Sequence, residues 1–371
     1  MNSYKKTIDN ILDGSGICIN GNQPYDLQVH EEKFYQRILK SGYLGLGEAY
    51  IEGWWDCDNL EDFFFRALSA NLDYRIKNNF ITWFQIAKAV LFNQQNKSKS
   101  LEVAKVHYDA GNDLYQAMLD KRMIYSCGYW ENALTLDDAQ EHKLDLICRK
   151  LKLTPGLRVL DIGCGWGGLA QYAAEKYGVC VTGVTISENQ AKLASENCRN
   201  LPVQIKILDY RDVKGKFDRI VSVGMFEHVG YKNYNKFMET AYHLLEDDGL
   251  FLLHTIGGNR SAKNVDAWIN KYIFPNSMLP SAEQICKAAN HKFKIEDWHS
   301  FGLHYHQTLM CWLQNFEKNW PALSKKYSKQ FYRMWKYYLC ASAATFRARK
   351  NNLWQIVFSK ENSLIDYVSV R

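Results

Sequence analysis

From residue 157 onward the chain alternates short apolar runs with amphipathic ones. The apolar runs predict strands near 157–162, 179–185, 203–208, 217–223 and 249–256. Between them, apolar residues recur at helical spacing and predict helices near 167–177, 187–198 and 231–245. Strands alternating with helices in this way predict a parallel, doubly wound sheet. After residue 256 the pattern changes. Residues 262–280 read as an insertion, a helix is expected near 282–290, and strands near 292–299 and 305–314 are expected to finish the sheet antiparallel. The aromatic, basic tail over 320–346 reads as helical.

The region ahead of this sheet reads as mostly helical. An aromatic cluster runs from Trp54-Trp55 to Phe63-Phe64-Phe65, and a helix is expected over 137–151. The stretch from Phe80 to Phe92 has apolar residues at near-helical spacing and lysines around it. It fits a packed helix, or a helix lying at a lipid surface or domain seam. Residues 93–100 are polar and lysine-rich, which places a linker there. The expected organisation is a smaller N-terminal domain over 1–100, docking on lipid, and a catalytic domain over 101–371.

Composition narrows the function classes. The net charge is +6 without any long basic run, which argues against nucleic acid as a partner. The 10 cysteines are scattered, with no Cys-x-x-Cys pair, and no signal peptide is evident at the start. Free thiols in the cytoplasm are expected. No stretch approaches the roughly 18–20 apolar residues that cross a bilayer, so any membrane contact is expected to be peripheral, on its inner face. Aromatics reach 14%, enough to line an apolar or cation-stabilising site.

The candidate chemistry gathers at the predicted carboxyl ends of the strands, where doubly wound sheets bind ligands. The first strand ends in Asp161 and runs into Gly163-x-Gly165-x-x-Gly168, directly before a helix. Glycine permits the tight turn and close ligand approach, and the helix start offers N–H groups. Dinucleotide dehydrogenases use the same spacing, but they want an acid at the end of the second strand, where this chain has Thr185. That weighs against NAD without deciding it. For S-adenosylmethionine, Asp161 can meet the cationic end and Asp209 can accept from the adenine amine. Glu227 and His254 fall on the same crevice. Tyr305 lies between His304 and His306, but on a strand their side chains would alternate, so no metal is expected.

Val159–Gly168, Thr185–Gln190, Gly224–Gly230, Leu252–Gly257, Ile273–Asn276, Tyr125-Ser126-Cys127 and Phe346–Arg349 together resemble the cyclopropane-fatty-acyl-phospholipid synthases. The resemblance extends over nearly the whole chain, including Gly47–Trp55. It implies a class I SAM-dependent methyltransferase fold, an α/β Rossmann-like doubly wound sheet with a smaller, mostly helical N-terminal domain. It also implies a homodimer working on a phospholipid bilayer with unsaturated acyl chains. The implied reaction transfers a methylene from S-adenosylmethionine to a cis double bond, forming a cyclopropane ring.

In this family the base is held to be a bound bicarbonate, and the matching positions are Cys127, Glu227, His254, Tyr305 and the backbone of Ile256. By the same resemblance Tyr125 and Ser126 touch the methionine end, Gly163 and Gly165 line the loop, Thr185 and Gln190 hold the ribose, and Tyr210 and Arg211 flank the adenine. One position departs from the pattern. Ser342 stands where many members have a cysteine, with Cys340 two residues earlier, which puts a covalent thiol role in doubt. Two other readings stay open on the residues alone: a methyltransferase adding a methyl branch to another apolar substrate, and a non-catalytic lipid-binding sensor of the cofactor.

Overall fold

The computed structural model describes residues 3–72, 111–262 and 266–371. The expected helix over 80–92, the linker over 93–100 and the 100/101 domain boundary lie outside the described residues. The N-terminal part carries helices α1 (Ser3–Leu12), α2 (Lys33–Ile51) and α3 (Leu60–Ser69), with a two-residue antiparallel pair of strands, β1 (Gln28–Val29) and β2 (Trp55–Asp56). Helices α4 (Asn112–Met118) and α5 (Leu136–Lys150) lead into the sheet. Thr135 starts α5 through a capping box with Asp138, satisfying two N–H groups that a helix start leaves open.

The sheet contains β3 (Arg158–Ile162), β4 (Cys180–Thr185), β5 (Val203–Ile207), β6 (Phe217–Val223), β7 (Leu245–Gly258), β8 (Phe293–Ser300) and β9 (Asn351–Lys360). Their order is β5-β4-β3-β6-β7-β9-β8. β3 to β7 run parallel, and β9 is antiparallel to both β7 and β8. Helices α6 (Gly168–Tyr177), α7 (Glu188–Asn197) and α8 (Tyr234–Leu244) make the crossovers. Two apolar clusters flank the sheet, and β3, β4, β6, β7 and β9 contribute buried apolar residues to both. Helices α9 (Ala267–Tyr272) and α10 (Ala282–Ala289) follow β7, and α11 (Leu303–Leu323) and α12 (Lys329–Arg347) precede β9.

Two features differ from the sequence reading. The expected strand over 305–314 is the first half of α11. Its buried residues are Tyr305, Thr308, Leu309, Trp312, Leu313 and Phe316, a spacing of three and four that belongs to a helix. The strand that completes the sheet is β9, which is buried along most of its length between β7 and β8.

The N-terminal part shares a core with the rest of the chain. One apolar cluster contains Phe34, Trp55 and Phe63 together with Trp312, Trp335 and Phe346. Gly47 shows how close the approach is, since a Cβ there would lie 2.3 Å from Trp268 Nε1. Beside it, Glu48 accepts from Lys271 Nζ at 2.6 Å and Tyr272 Oη at 3.1 Å. The insertion after β7 is thereby fastened to α2.

Candidate active site

The loop after β3 turns on glycines. Gly163 has φ +85° and Gly165 φ +55°, a region that L side chains enter at a cost of about 1–2 kcal/mol. A Cβ on Gly163 would also lie 2.8 Å from Met225. The loops after β3, β4, β5 and β6 converge on one cavity of about 1200 Å³. This exceeds the roughly 300–1,000 Å³ of a site for one drug-sized ligand. Tyr125, Ser126, Asp161, Gly163, Gly165, Thr185, Gln190, Asp209, Tyr210 and Arg211 all line it, as expected of a single crevice.

Local contacts refine their parts. Thr185 Oγ1 donates to Gln190 Oε1 at 3.0 Å and accepts from Ser187 N at 3.2 Å, which fixes both side chains after β4. Asp209 lines the same crevice. Its carboxylate is clamped by its neighbour, with Arg211 Nε at 2.7 Å and Nη2 at 2.6 Å. Burial pushes the Tyr210 phenol up to about 12. Tyr125 Oη and Tyr338 Oη are 2.9 Å apart, and the Tyr125 ring lies 6.4 Å from that of Phe274. These three rings line the cavity as an aromatic wall.

Sequence reasoning missed Lys143. It is 1% exposed and donates to Ser126 Oγ at 2.9 Å. Burial pushes its amine down to about 8, against the pull of Asp120, Cys127 and Asp161. Burial likewise pushes Asp161 up to about 7, with Lys143 drawing it back. The signal was present, because Gln140 and Lys143 sit on the buried face of α5 with Ala139, Leu144 and Ile147. A polar pair within an apolar stripe needs a partner inside.

Glu227 occupies a 3₁₀ turn after β6 and is buried. Its Oε1 accepts from Ile256 N at 2.7 Å, while Oε2 is buried without a hydrogen-bond partner. Burial pushes the carboxyl up to about 7, against the Ile256 N–H and the nearby Thr255 hydroxyl. His254 lies two residues back on β7, opposite Gln355 of β9. Its Nδ1 is 3.3 Å from Gln355 Nε2, and its Nε2 is buried without a partner. Burial holds it well below the usual histidine range, so it is neutral.

Tyr305 stacks on Phe346, with centroids 4.6 Å apart, and its phenol is raised by burial and by neighbours that include Cys127 and Glu227. Glu227, Ile256 and Tyr305 line the cavity. Cys127 and His254, expected in the same cage, are buried and do not line the cavity. Cys127 Sγ is 3.1 Å from the Gly128 carbonyl and 3.7 Å from Thr308 Oγ1, and burial pushes its thiol up.

The histidines beside Tyr305 are engaged separately. His304 Nδ1 accepts from Trp130 N at 3.0 Å, and His306 Nε2 lies 3.3 Å from Glu61. Strand alternation does not apply on α11. Among the described residues, no three His, Cys, Asp or Glu side chains come together as a metal site. Cys340 is 2% exposed and its thiol is pushed up to about 12, whereas Ser342 lines the cavity. Away from the glycine loop, the cavity continues as an apolar arm between Leu12, Ile38, Leu46, Phe63, Phe64 and Leu72 of the N-terminal part.

The family model for mycolic acid cyclopropane synthetase matches residues 95–356. The chain is 51% identical over 364 residues to the cyclopropane-fatty-acyl-phospholipid synthase of Escherichia coli (strain K12), covering 98% of this chain and 95% of that one. Among solved structures, the cyclopropane synthase MmaA2 from Mycobacterium tuberculosis superposes with a TM-score of 0.67 at 30% identity, over 70% of this chain and 98% of that one. The mycolic acid cyclopropane synthase CmaA1, solved with SAH and CTAB, gives 0.66 at 32%, over 70% and 98%. The sheet is that of a class I SAM-dependent methyltransferase.

Proposed function

Since this chain belongs to the mycolic acid cyclopropane synthetase family, we propose that it cyclopropanates unsaturated phospholipid acyl chains, with a bound bicarbonate as the base. One observation carries the reading. A glycine-loop crevice and an apolar arm form a single cavity that Glu227 lines, and Glu227 Oε2 and His254 Nε2 are both buried without hydrogen-bond partners. Such atoms are costly unless a bound polar group completes them.

S-adenosylmethionine supplies an electrophilic methyl group. Gly163, Gly165 and the Tyr125-Ser126 segment would hold it close to the alkene, which is a weak nucleophile and needs that proximity. The alkene pair forms the new bond to the methyl carbon as the carbon–sulfur bond breaks and its pair stays on sulfur. The aromatic wall of Tyr125, Phe274 and Tyr338 stabilises the positive charge left on the lipid. One proton then leaves the added methyl and its C–H pair closes the ring, so the lipid gains one CH₂.

The base that bicarbonate supplies would be held by Tyr305 and His254, with Cys127 closing the cage. Glu227 would hold the released proton at Oε2, since its carboxyl is poised near neutrality. Ile256 acts through Glu227, because its N–H already binds Oε1.

Among the described residues no helix is long and apolar enough to cross a membrane. In this reading the enzyme works as a homodimer at the cytoplasmic face of the bilayer, with residues 1–100 meeting the lipid and 101–371 carrying the chemistry. The test is incubation with unsaturated phosphatidylcholine vesicles and labelled S-adenosylmethionine in buffer freed of carbon dioxide. Turnover is expected to be slow, and to recover when bicarbonate is added, with a ring in the product. A methyl branch would instead indicate a simple methyltransferase, and indifference to bicarbonate would remove the base assigned here. Flotation with vesicles and sedimentation equilibrium check the membrane and dimer assignments.

A further inference from the structure

β9 carries a polar side chain into the middle of the sheet. Its Gln355 stands in register with His254 of β7 on one side and with His299 of β8 on the other. The flanking β7–β9 pairs on the same face are apolar, Leu252 with Val357 and Ile256 with Leu353. Gln355 is fully buried, and an amide buried in such surroundings costs stability unless it meets a hydrogen-bonding partner.

That partner is His254. Gln355 Nε2 lies 3.3 Å from His254 Nδ1, while Gln355 Oε1 and His254 Nε2 are buried without partners. Phe301 meets the His254 ring edge to face, 5.9 Å between centroids, and offers it no hydrogen bond. A neutral imidazole carries its proton on one nitrogen or the other, and the bond made at one end decides the chemistry of the other. With the proton on Nε2, Nδ1 is a lone pair that accepts from an N–H. With the proton on Nδ1, the amide would have to turn its oxygen toward the ring. The end of the amide that faces Nδ1 is its nitrogen.

We propose that Gln355 is a positioning residue that fixes His254 with its proton on Nε2, so that the buried end of the ring can only donate. The inference rests on the reading of His254 as a holder of bicarbonate, and adds what sets its donor. A lone pair at Nε2 would repel the anion, whereas an N–H binds it. An Nε2–H also cannot take up the proton released from the lipid, which leaves Glu227 as the acceptor. Burial, with Lys143 and Lys150 adding to it, keeps the ring neutral, so the choice between the two forms falls to the amide. His299 is the rival partner. Its Nδ1 is buried without a partner, and its ring packs against Tyr129 and Phe301.

The test is nitrogen NMR of the full chain carrying isotope-labelled histidine, with the His254 and His299 signals assigned by their loss in His254→Gln and His299→Gln. Wild type should show His254 protonated on Nε2. Gln355→Met, similar in size and without an amide, should give a mixture of the two forms. Gln355→Glu, whose carboxylate can only accept, should draw the proton to Nδ1. Turnover should fall by about 10- to 100-fold in both variants, the usual cost of losing a group that orients a ligating histidine, with S-adenosylmethionine affinity by calorimetry within about twofold of wild type. A wild-type proton on Nδ1, a His254 signal unmoved by Gln355→Met, or changes confined to His299 would each overturn the proposal. Adding bicarbonate to wild type should shift the His254 Nε2 signal. If that signal stays put, the caged base assigned above fails, and the tautomers in the Gln355 variants still decide what the amide does.

Discussion

Glu227 and Ile256 are joined by a 2.7 Å hydrogen bond from the Ile256 N–H to Oε1, which fixes the carboxylate while Oε2 stays buried and unpaired. The two oxygens therefore have different tasks, one structural and one chemical. Glu227→Gln keeps an oxygen for Ile256 and replaces Oε2 with an amide that cannot take a proton. Turnover is expected to fall by about 10²–10⁴, the usual range for losing a positioned proton acceptor. Calorimetry should find S-adenosylmethionine binding nearly unchanged. Lost binding with normal turnover in the remaining bound fraction would make Glu227 a cofactor ligand.

The same carboxyl links activity and stability to pH with opposite signs. Folded Glu227 titrates at about 7, raised by burial above its usual 4.5. Between those values the native state keeps a proton that the unfolded chain releases, so stability falls as pH rises through the window. Activity requires the ionised carboxylate and should rise through about 7. Glu227→Gln removes the ionisation and should gain stability over wild type at pH 8 relative to pH 5, by up to about 3 kcal/mol. Urea midpoints at the two pH values check the sign. A variant that loses ground at pH 8 would show that the native carboxylate is stabilised when charged.

How far the chain could be read depended on what its side chains face. β3, β4, β6 and β7 were legible because each packs buried apolar residues on both faces, while the edge strand β5 is half-exposed and shows only alternation. The glycine loop, Glu227 and His254 followed from strand ends, and Ile256 from the family resemblance. Residues 303–323 were misread at their start because His304, Tyr305, His306 and Thr308 interrupt a stripe that only Leu309, Trp312, Leu313 and Phe316 make plain. Lys143 was overlooked because a lysine is ordinarily a surface residue. Its burial depends on Ser126 and on Asp120 and Asp161, contacts formed only when the chain folds. The apolar arm was hidden for a related reason, since its walls come from residues such as Phe63 and Leu72, remote in sequence from the chemistry.

Lys143→Met separates a positioning role from a structural one. The substitution removes the 2.9 Å bond to Ser126 Oγ and also the cost of burying a cation. Those effects oppose each other, so the melting temperature should move little. Ser126 is left without its donor, and Asp161 loses the charge that draws its proton off. Affinity for S-adenosylmethionine is expected to fall about tenfold, or roughly 1.4 kcal/mol, and to depend more steeply on pH between 6 and 8 than in wild type. Lys143→Arg should restore the charge without the geometry and recover the pH dependence only. If Lys143→Met melts far lower with unaltered affinity in the folded fraction, the lysine serves the core alone.

Gly47 offers a way to disturb the lipid arm without touching the cofactor loop. A Cβ there would lie 2.3 Å from Trp268 Nε1 and 2.4 Å from Cδ1, and the buried Trp268 ring packs 4.5 Å from that of Tyr337. Trp268, Ile269 and Tyr337 all line the cavity, whereas Gly163 and Gly165 belong to a different loop. Gly47→Val should therefore push α9 away from α2 and strain the bonds from Lys271 and Tyr272 to Glu48. The expected outcome is a higher KM and lower kcat for phospholipid with S-adenosylmethionine affinity within twofold of wild type. Gly53→Ala is the control. That residue has φ +77° and open space around it, so the substitution adds backbone strain of about 1–2 kcal/mol without a clash. It should lower stability and leave the lipid kinetics alone. Equal lipid defects in the two variants would mean that general destabilisation, and not the position of α9, sets the shape of the arm.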